Sequence, residues 1–159
     1  MHRRCSARVR LSLHASSALT CASQPTLSRA LLQLGRRVLV ETNGSLNIGR
    51  LPDGCVKIVD FKCPSSGEQA ANDFENIGRL SCRDEVKCVI GSSEDYEFAR
   101  DILDRLHRRG KNAPVVNFSP VFGTLAPRVL AEWILRDRLD VRLNLQLHKL
   151  VWDPERRGV

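Results

Sequence analysis

The residues best suited to chemistry are polar side chains that stand at or just after the ends of short apolar runs. They carry hydroxyl, amide, carboxylate, imidazole and ammonium groups, a mixture that suits a polar ligand with many hydrogen bonds better than a covalent hydrolase. The set comprises Glu41, Thr42, Asn43, Asp60, Lys62, Ser119, Gln146, His148 and Lys149. The sequence has no G-x-S-x-G, H-E-x-x-H, P-loop or dinucleotide-binding glycine motif.

Each of these residues also has an ordinary structural interpretation. Asn43-Gly44 is typical of a turn. Asp60 and Lys62 share one face of a strand and can simply pair with each other. A single histidine such as His148 is more often hydrogen-bonded within a fold than catalytic.

Strand and helix patterns that alternate along the chain must position these residues. Apolar runs predict strands at 38–40, 56–61, 86–90, 114–118 and 141–147. Helical periodicity predicts helices at 27–36 with Thr26 as N-cap, 68–80, 94–109 with Ser93 as N-cap, and 125–138. The last of these carries Trp133, which is expected in the core.

Strands separated by helices indicate right-handed βαβ units, so the predicted fold class is α/β with about five strands in a mostly parallel sheet. The carboxyl ends of such strands meet at one edge of the sheet, where ligands bind in this class. Residue types and spacing alone therefore predict an α/β ligand-binding domain.

The positive charge is confined to the first quarter of the chain. The 159 residues carry a net charge of +7, but residues 1–40 hold seven Arg and no acidic residue, and the remainder holds 18 basic and 18 acidic residues. Together with an aromatic content of 5%, this argues against direct nucleic-acid binding by the folded body. No run of 18 apolar residues predicts a membrane helix, and the length suits one domain.

Residues 1–24 are predicted to be unrelated to the body at 25–159 and without a fold of their own. They are rich in Arg and Ser and lack acidic residues, which is compatible with an organelle transit peptide. A frameshifted, mis-started or truncated gene would leave a similar segment. A secretory signal is disfavoured because Arg10, Ser12 and His14 interrupt the apolar stretch.

The cysteines are expected to be buried free thiols in a reducing cytoplasm rather than a disulfide framework. Four of the six lie in or beside predicted strands, at Cys55, Cys63, Cys82 and Cys88. No two are spaced C-x-x-C or C-x-x-x-C, which disfavours a zinc ribbon or a locally bound iron–sulfur cluster.

Five segments, taken in order, resemble the 7-carboxy-7-deazaguanine synthase family of radical S-adenosylmethionine enzymes. They are V-E-T-N-G-S at 40–45, D-F-K-C-P-S-S-G at 60–67, D-E-V-K-C-V-I at 84–90, F-S-P-V at 118–121 and L-Q-L-H-K-L-V-W at 145–152. No single segment is specific, but their order and their strand-end positions agree with the family over roughly residues 25–159.

The resemblance implies an incomplete parallel (β/α) barrel that binds S-adenosylmethionine, a [4Fe–4S] cluster, Mg²⁺ and 6-carboxytetrahydropterin. It implies a cytoplasmic homodimer that supplies queuosine biosynthesis through a small molecule, without direct contact to nucleic acid or membrane. By motif, Asp60, Phe61, Lys62 and Asn43 would bind S-adenosylmethionine. Thr42, Gln146 and His148 would bind the pterin substrate.

The sequence departs from the family in its first part. The family's three cluster-binding cysteines are absent, and C-A-S-Q-P at 21–25 stands where T-G-G-E-P is expected. The chain therefore resembles the carboxyl-terminal portion of the enzyme behind an unrelated start, and we expect it to be inactive alone. The alternative is a non-catalytic α/β module that binds the pterin or S-adenosylmethionine.

Overall fold

One open parallel sheet organises the computed structural model, which describes residues 8–13 and 18–152. Six strands lie in chain order across this sheet, and every neighbouring pair is parallel. The strands are β1 (Arg8–Leu13), β2 (Arg37–Thr42), β3 (Val56–Phe61), β4 (Glu85–Ile90), β5 (Val115–Pro120) and β6 (Arg142–Leu143). The helices are α1 (Ala18–Gln33), α2 (Asn76–Arg79), α3 (Ser93–His107), α4 (Pro127–Arg136) and α5 (Leu147–Val151).

The strand order distinguishes a barrel-type sheet from a doubly wound one. A doubly wound sheet reverses its strand order at a switch point, whereas here the order runs from β1 to β6 without reversal. With right-handed crossovers, this order places the connecting helices on one side of the sheet. The predicted α/β class and open parallel architecture are confirmed, with six strands rather than about five.

The core lies between the sheet and its helices. In β3 and β4 partly exposed and buried residues alternate, because successive side chains point to opposite faces. The buried set, including Val59, Phe61 and Cys88, contacts residues of α3 and α4 such as Tyr96 and Leu130. The alternate set, including Asp60, Glu85 and Lys87, faces the opposite side, which is only partly covered.

Several predicted boundaries differ from the structure at the chain's first and last elements. Helix α1 begins at Ala18, so Thr26 is not its N-cap, and Pro25 lies inside it. Strand β1 and this helix start within the segment that was expected to have no fold. The assignment of residues 1–24 as unrelated to the family stays a prediction, and residues 1–7, 14–17 and 153–159 lie outside the described residues.

The predicted helix at 68–80 is wrong. The region forms one short 3-10 turn, Gln69–Ala71, followed by the four-residue α2, and another 3-10 turn, Pro64–Ser66, precedes it. Two buried asparagines, Asn72 and Asn76, use their side chains to bond the main chain of other loops, and such bonds compete with helix formation.

The last predicted strand is also wrong in most of its length. Only Arg142 and Leu143 pair with β5, and residues 147–151 form α5. The alternating pattern of 141–147 suits a strand, but β6 is the edge strand of the described sheet and Asn144 makes the last main-chain bond to Phe118. The N-cap of α3 is Ser92 rather than Ser93, since the Ser92 hydroxyl accepts from the Asp95 amide.

Candidate functional site

The carboxyl ends of β3, β4 and β5 enclose a cavity of about 530 Å³, which we call the edge cavity. It is lined by residues 60–63, 65–66, 89, 91–92, 121 and 124. Its volume lies in the range of small-molecule sites, roughly 300–1,000 Å³. Parallel sheets bind ligands at this edge, so the cavity is the candidate site of the described fold.

Asp60 and Lys62 lie together on one wall of the edge cavity. The Lys62 ammonium donates to Asp60 Oδ2 at 2.8 Å, and the two side chains are 15% and 29% exposed. The second carboxylate oxygen, Asp60 Oδ1, is buried and has no hydrogen-bond partner. A buried acceptor without a donor is costly, and a ligand that brings a donor to this wall would relieve that cost.

Phe61 lines the same cavity but its ring belongs to the core. The residue is fully buried, and its ring stacks on Phe74 with centroids 6.2 Å apart. Because side chains alternate along a strand, Phe61 faces the helices while Asp60 faces the open side of the sheet. The predicted stretch 60–62 therefore presents its two polar side chains and not its ring.

Thr42 and Asn43 form the turn that closes β2. Thr42 Oγ1 accepts from the Gly44 amide at 3.3 Å, and Asn43 Oδ1 accepts from the amide and hydroxyl of Ser45. Gly44 has φ +72°, a conformation that glycine adopts without strain. Neither Thr42 nor Asn43 lines the edge cavity, so the turn interpretation describes their observed contacts.

Gln146 lines a neighbouring cavity of about 350 Å³, which we call the loop cavity. The loop cavity is bounded by residues 120, 122–127, 145 and 146, and its lining is largely apolar. Gln146 Oε1 is buried there without a hydrogen-bond partner. The loop cavity and the edge cavity share Thr124, so the two are adjacent. His148 lies in α5, directly after this wall.

The open face of the sheet carries charged residues below the edge. Glu41 bonds Arg10 at 2.6 Å, and its other oxygen lies 4.0 Å from the Lys87 ammonium. Asn117 donates to Glu85 at 3.1 Å. A third cavity of about 300 Å³ lies among these side chains, so the uncovered face of the sheet is polar where a closed core would be apolar.

Sequence reasoning missed the residues that hold the loops at the carboxyl edge. Asn72 both accepts from the Lys62 amide and donates to the Lys62 carbonyl, each at 2.9 Å. Asn76 donates to the carbonyls of Gly44 and Leu46 and accepts from the Ile48 amide. In the sequence these two asparagines are only a pair at helical spacing, and the prediction assigns both of them to a helix.

The described residues do not fit an iron–sulfur cluster. Cluster ligands are thiolates, and no group of three His, Cys, Asp or Glu residues in the described part could hold a metal ion. Cys63 and Cys88 are buried neighbours, and the bond to Cys63 together with burial raises the pKa of Cys88. Such a thiol stays protonated, which makes it a poor ligand.

The expectation of buried free thiols is confirmed for three cysteines and wrong for one. Cys55, Cys63 and Cys88 are buried free thiols, whereas Cys82 is a free thiol exposed in the turn before β4. Burial raises the pKa of Cys55 as well. Cys5 lies outside the described residues.

No described helix has the length and apolarity needed to cross a membrane.

A parallel sheet in chain order that does not close, with adjacent cavities at its carboxyl edge, defines an incomplete barrel-type α/β fold. Comparison with curated proteins shows which of them the chain resembles in sequence. The chain is 44% identical over 141 residues to a 7-carboxy-7-deazaguanine synthase from Koribacter versatilis, which covers 81% of the chain and 62% of that relative. No family model matches the chain.

Two further relatives carry the same name. The chain is 44% identical over 125 residues to the enzyme from Chlorobaculum tepidum, covering 77% of the chain and 56% of the relative. It is 36% identical over 131 residues to that from Methanospirillum hungatei, covering 80% and 52%. The chain thus resembles 7-carboxy-7-deazaguanine synthase over most of its own length, as its motifs predict, and spans little more than half of these relatives.

Proposed function

We propose that the chain binds S-adenosylmethionine and 6-carboxytetrahydropterin as the ligand-binding portion of a 7-carboxy-7-deazaguanine synthase. That enzyme is a lyase that converts the pterin to 7-carboxy-7-deazaguanine for queuosine biosynthesis and tRNA modification. The similarity to the named synthases supports the reaction class. The observation that carries the binding proposal is the partnerless Asp60 oxygen on the wall of the edge cavity.

The edge cavity suits S-adenosylmethionine by charge and by hydrogen bonding. The ligand has an ammonium group and ribose hydroxyls that can donate to Asp60 Oδ1, and its sulfonium is favoured beside a carboxylate. The Lys62 ammonium, which is partly exposed, can pair with the ligand's carboxylate. Phe61 contributes through its main chain, and Asn43 through the turn at the end of the neighbouring strand β2.

The loop cavity suits the pterin. A pterin ring is flat and carries N–H donors, and the cavity has an apolar lining with one buried acceptor, Gln146 Oε1. Its adjacency to the edge cavity would place the two ligands side by side. Thr42 and His148 are proposed as further pterin contacts on the motif resemblance alone, and Thr42 does not line the loop cavity.

No radical step is assigned to this chain. In the radical S-adenosylmethionine class the ligand supplies one-electron chemistry when a [4Fe–4S] cluster bound by three cysteinates reduces it. The described residues offer no group of three His, Cys, Asp or Glu side chains that could hold a metal ion. The same finding favours the second candidate function, a non-catalytic module that binds the pterin or S-adenosylmethionine.

Calorimetry on the full chain tests the binding proposal. We expect saturable binding of S-adenosylmethionine, weakened about 10- to 100-fold by Asp60→Asn, since a charge-assisted hydrogen bond contributes about 1.5–3 kcal/mol. Asp73→Asn is the matched control, because Asp73 also pairs with a cation, Arg79 at 2.7 Å, but does not line the cavity. Flat titrations with both ligands would refute binding.

Anaerobic iron–sulfide reconstitution distinguishes the two candidate functions. A brown cluster band with turnover of the pterin would refute the non-catalytic module and give this chain the full reaction.

We further propose that the chain forms a homodimer in the cytoplasm without direct contact to nucleic acid or membrane. Sedimentation at several concentrations tests the dimer, and a monomer at all of them would refute it.

A further inference from the structure

Asp95 is a fully buried carboxylate that lies behind the wall of the edge cavity. It is the third residue of α3, and its oxygens accept from the main-chain amides of Ser65 and Gly91, each at 2.8 Å. The Ser65 hydroxyl donates to the same carboxylate. Ser65 and Gly91 both line the cavity, so a single side chain bonds the loop after β3 to the turn after β4.

A third segment meets the same point. A Cβ atom built on Gly91 would lie 3.4 Å from Asp95 Oδ2, 3.4 Å from Ser65 Oγ and 3.2 Å from Val121 Cγ2. The space at Gly91 is therefore filled by the loops after β3 and β5 and by the carboxylate. These three loops form most of the cavity wall and converge on Gly91, where Asp95 bonds two of them.

We propose that Asp95 is the positioning residue of the edge cavity, holding the 64–66 turn and the Gly91 turn at the separation that ligand binding requires. The choice of S-adenosylmethionine as ligand rests on the proposed function, whereas the positioning role does not. Burial acts to raise the pKa of Asp95, but the bonds from Ser65, Gly91 and Ser92 outweigh it and lower the pKa. The group is thus an anion that accepts without donating.

Asp84 provides a control matched in burial and in main-chain bonding, and its carboxylate additionally lies 3.9 Å from the Lys57 ammonium. It is 1% exposed and accepts from the Lys57 amide at 2.8 Å and from the Ser81 amide and hydroxyl at 2.8 and 2.9 Å. Asp84 precedes β4 and Asp95 follows it, so the two carboxylates stand at opposite ends of a six-residue strand, about 20 Å apart. Only Asp95 stands at the carboxyl edge.

The test compares Asp95→Asn with Asp84→Asn in the full chain. An amide in place of the carboxylate presents a donor to the main-chain donors it must meet. We expect Asp95→Asn to speed hydrogen exchange of the Ser65 and Gly91 amides and to weaken S-adenosylmethionine binding about 10-fold or more. Asp84→Asn should lower stability similarly while leaving both the exchange of these amides and the affinity unchanged.

Equal effects of the two variants on the affinity and on the exchange of the Ser65 and Gly91 amides would overturn the positioning role. If the wild-type chain binds no S-adenosylmethionine, the proposed ligand is wrong, and hydrogen exchange alone tests the positioning role. Faster exchange confined to the amides of 65–67 and 91–92 supports the role, while uniform acceleration refutes it. Should Asp95→Asn fail to fold, Ser65→Ala removes one bond to the carboxylate, and Ser65→Thr, which keeps the hydroxyl, should restore the affinity that Ser65→Ala loses.

Discussion

Replacing Asn76 by Ala should destabilise the chain far more than its position in a four-residue helix suggests. Asn76 is fully buried in α2. Its amide nitrogen donates to Gly44 O at 3.1 Å and to Leu46 O at 2.8 Å, and its oxygen accepts from Ile48 N at 3.1 Å. These three bonds hold the whole loop that follows β2.

The magnitude follows from those bonds. A typical intramolecular hydrogen bond contributes about 0.5–1.5 kcal/mol net, so the three lost bonds to the main chain amount to about 3 kcal/mol. A fourth bond, from the Arg79 guanidinium to the Asn76 oxygen at 2.9 Å, is also lost, but Arg79 keeps its ion pairs with Asp73 and Glu75. The substitution also removes the Asn76 partner of the Ile48 amide and of the Leu46 carbonyl, which adds to the loss where water cannot reach them, whereas Gly44 O still accepts from the Asp73 amide at 2.9 Å. The expected decrease in the free energy of unfolding is therefore about 3 kcal/mol, at the upper end for single substitutions.

Urea unfolding monitored by circular dichroism measures this change. Asn112→Ala is the control, because Asn112 is exposed and makes one long bond, from the Cys82 amide at 3.4 Å. It should change the free energy by less than about 0.5 kcal/mol. A loss below about 1 kcal/mol for Asn76→Ala, with an unchanged urea dependence, would show that the loop does not depend on this side chain.

Three other predictions concern separate parts of the molecule. Gly44→Ala should cost about 1–3 kcal/mol in urea unfolding, because φ is +72° and the new Cβ would lie 3.1 Å from a side chain of β3. The Arg136 hydrogen bond, with a second from Tyr96, lowers the pKa of Asp137 to about 2. The stability this gives is present above the unfolded pKa of about 4 and is lost as pH falls toward 2, so Asp137→Asn should flatten that part of the stability profile. A thiol reagent followed by peptide mass spectrometry should modify Cys82 well before Cys88 in the native chain, and equal rates would contradict the burial of Cys88.

The fold class could be predicted because local signals agree with the tertiary structure in most elements. Helix α3 has acidic residues in its first turn and basic residues in its last, and its apolar face packs on β4. The helix predicted at 68–80 is wrong because periodicity cannot show that a buried asparagine will bond a distant loop. The strand predicted at 141–147 is wrong for a related reason, since alternation does not show where the chain leaves the sheet: only Arg142 and Leu143 pair with β5 before the helix at Leu147–Val151.

The sequence predicts the edge of the sheet at which the candidate site lies, but not all of the contacts that form the site. Strand ends predicted a site at the edge where the edge cavity lies, and period-2 geometry predicted that Asp60 and Lys62 share one face, as their 2.8 Å contact shows. The same geometry turns Phe61 to the core, an outcome available from the alternation alone. Asp95 carried no such signal, because an acidic residue in the first turn of a helix is already explained by the helix dipole.

Loops form the carboxyl edge, and buried side chains, rather than regular secondary structure, fix the positions of these loops. Asn72 fixes the main chain of Lys62, Asn76 fixes the loop after β2, and Asp95 joins the loops after β3 and β4. Each of these side chains bonds main-chain groups, so it constrains the position of a loop whatever side chains the loop carries. Exposed loop residues at this edge should therefore tolerate substitution. Substitution of any of these three buried residues should instead weaken ligand binding.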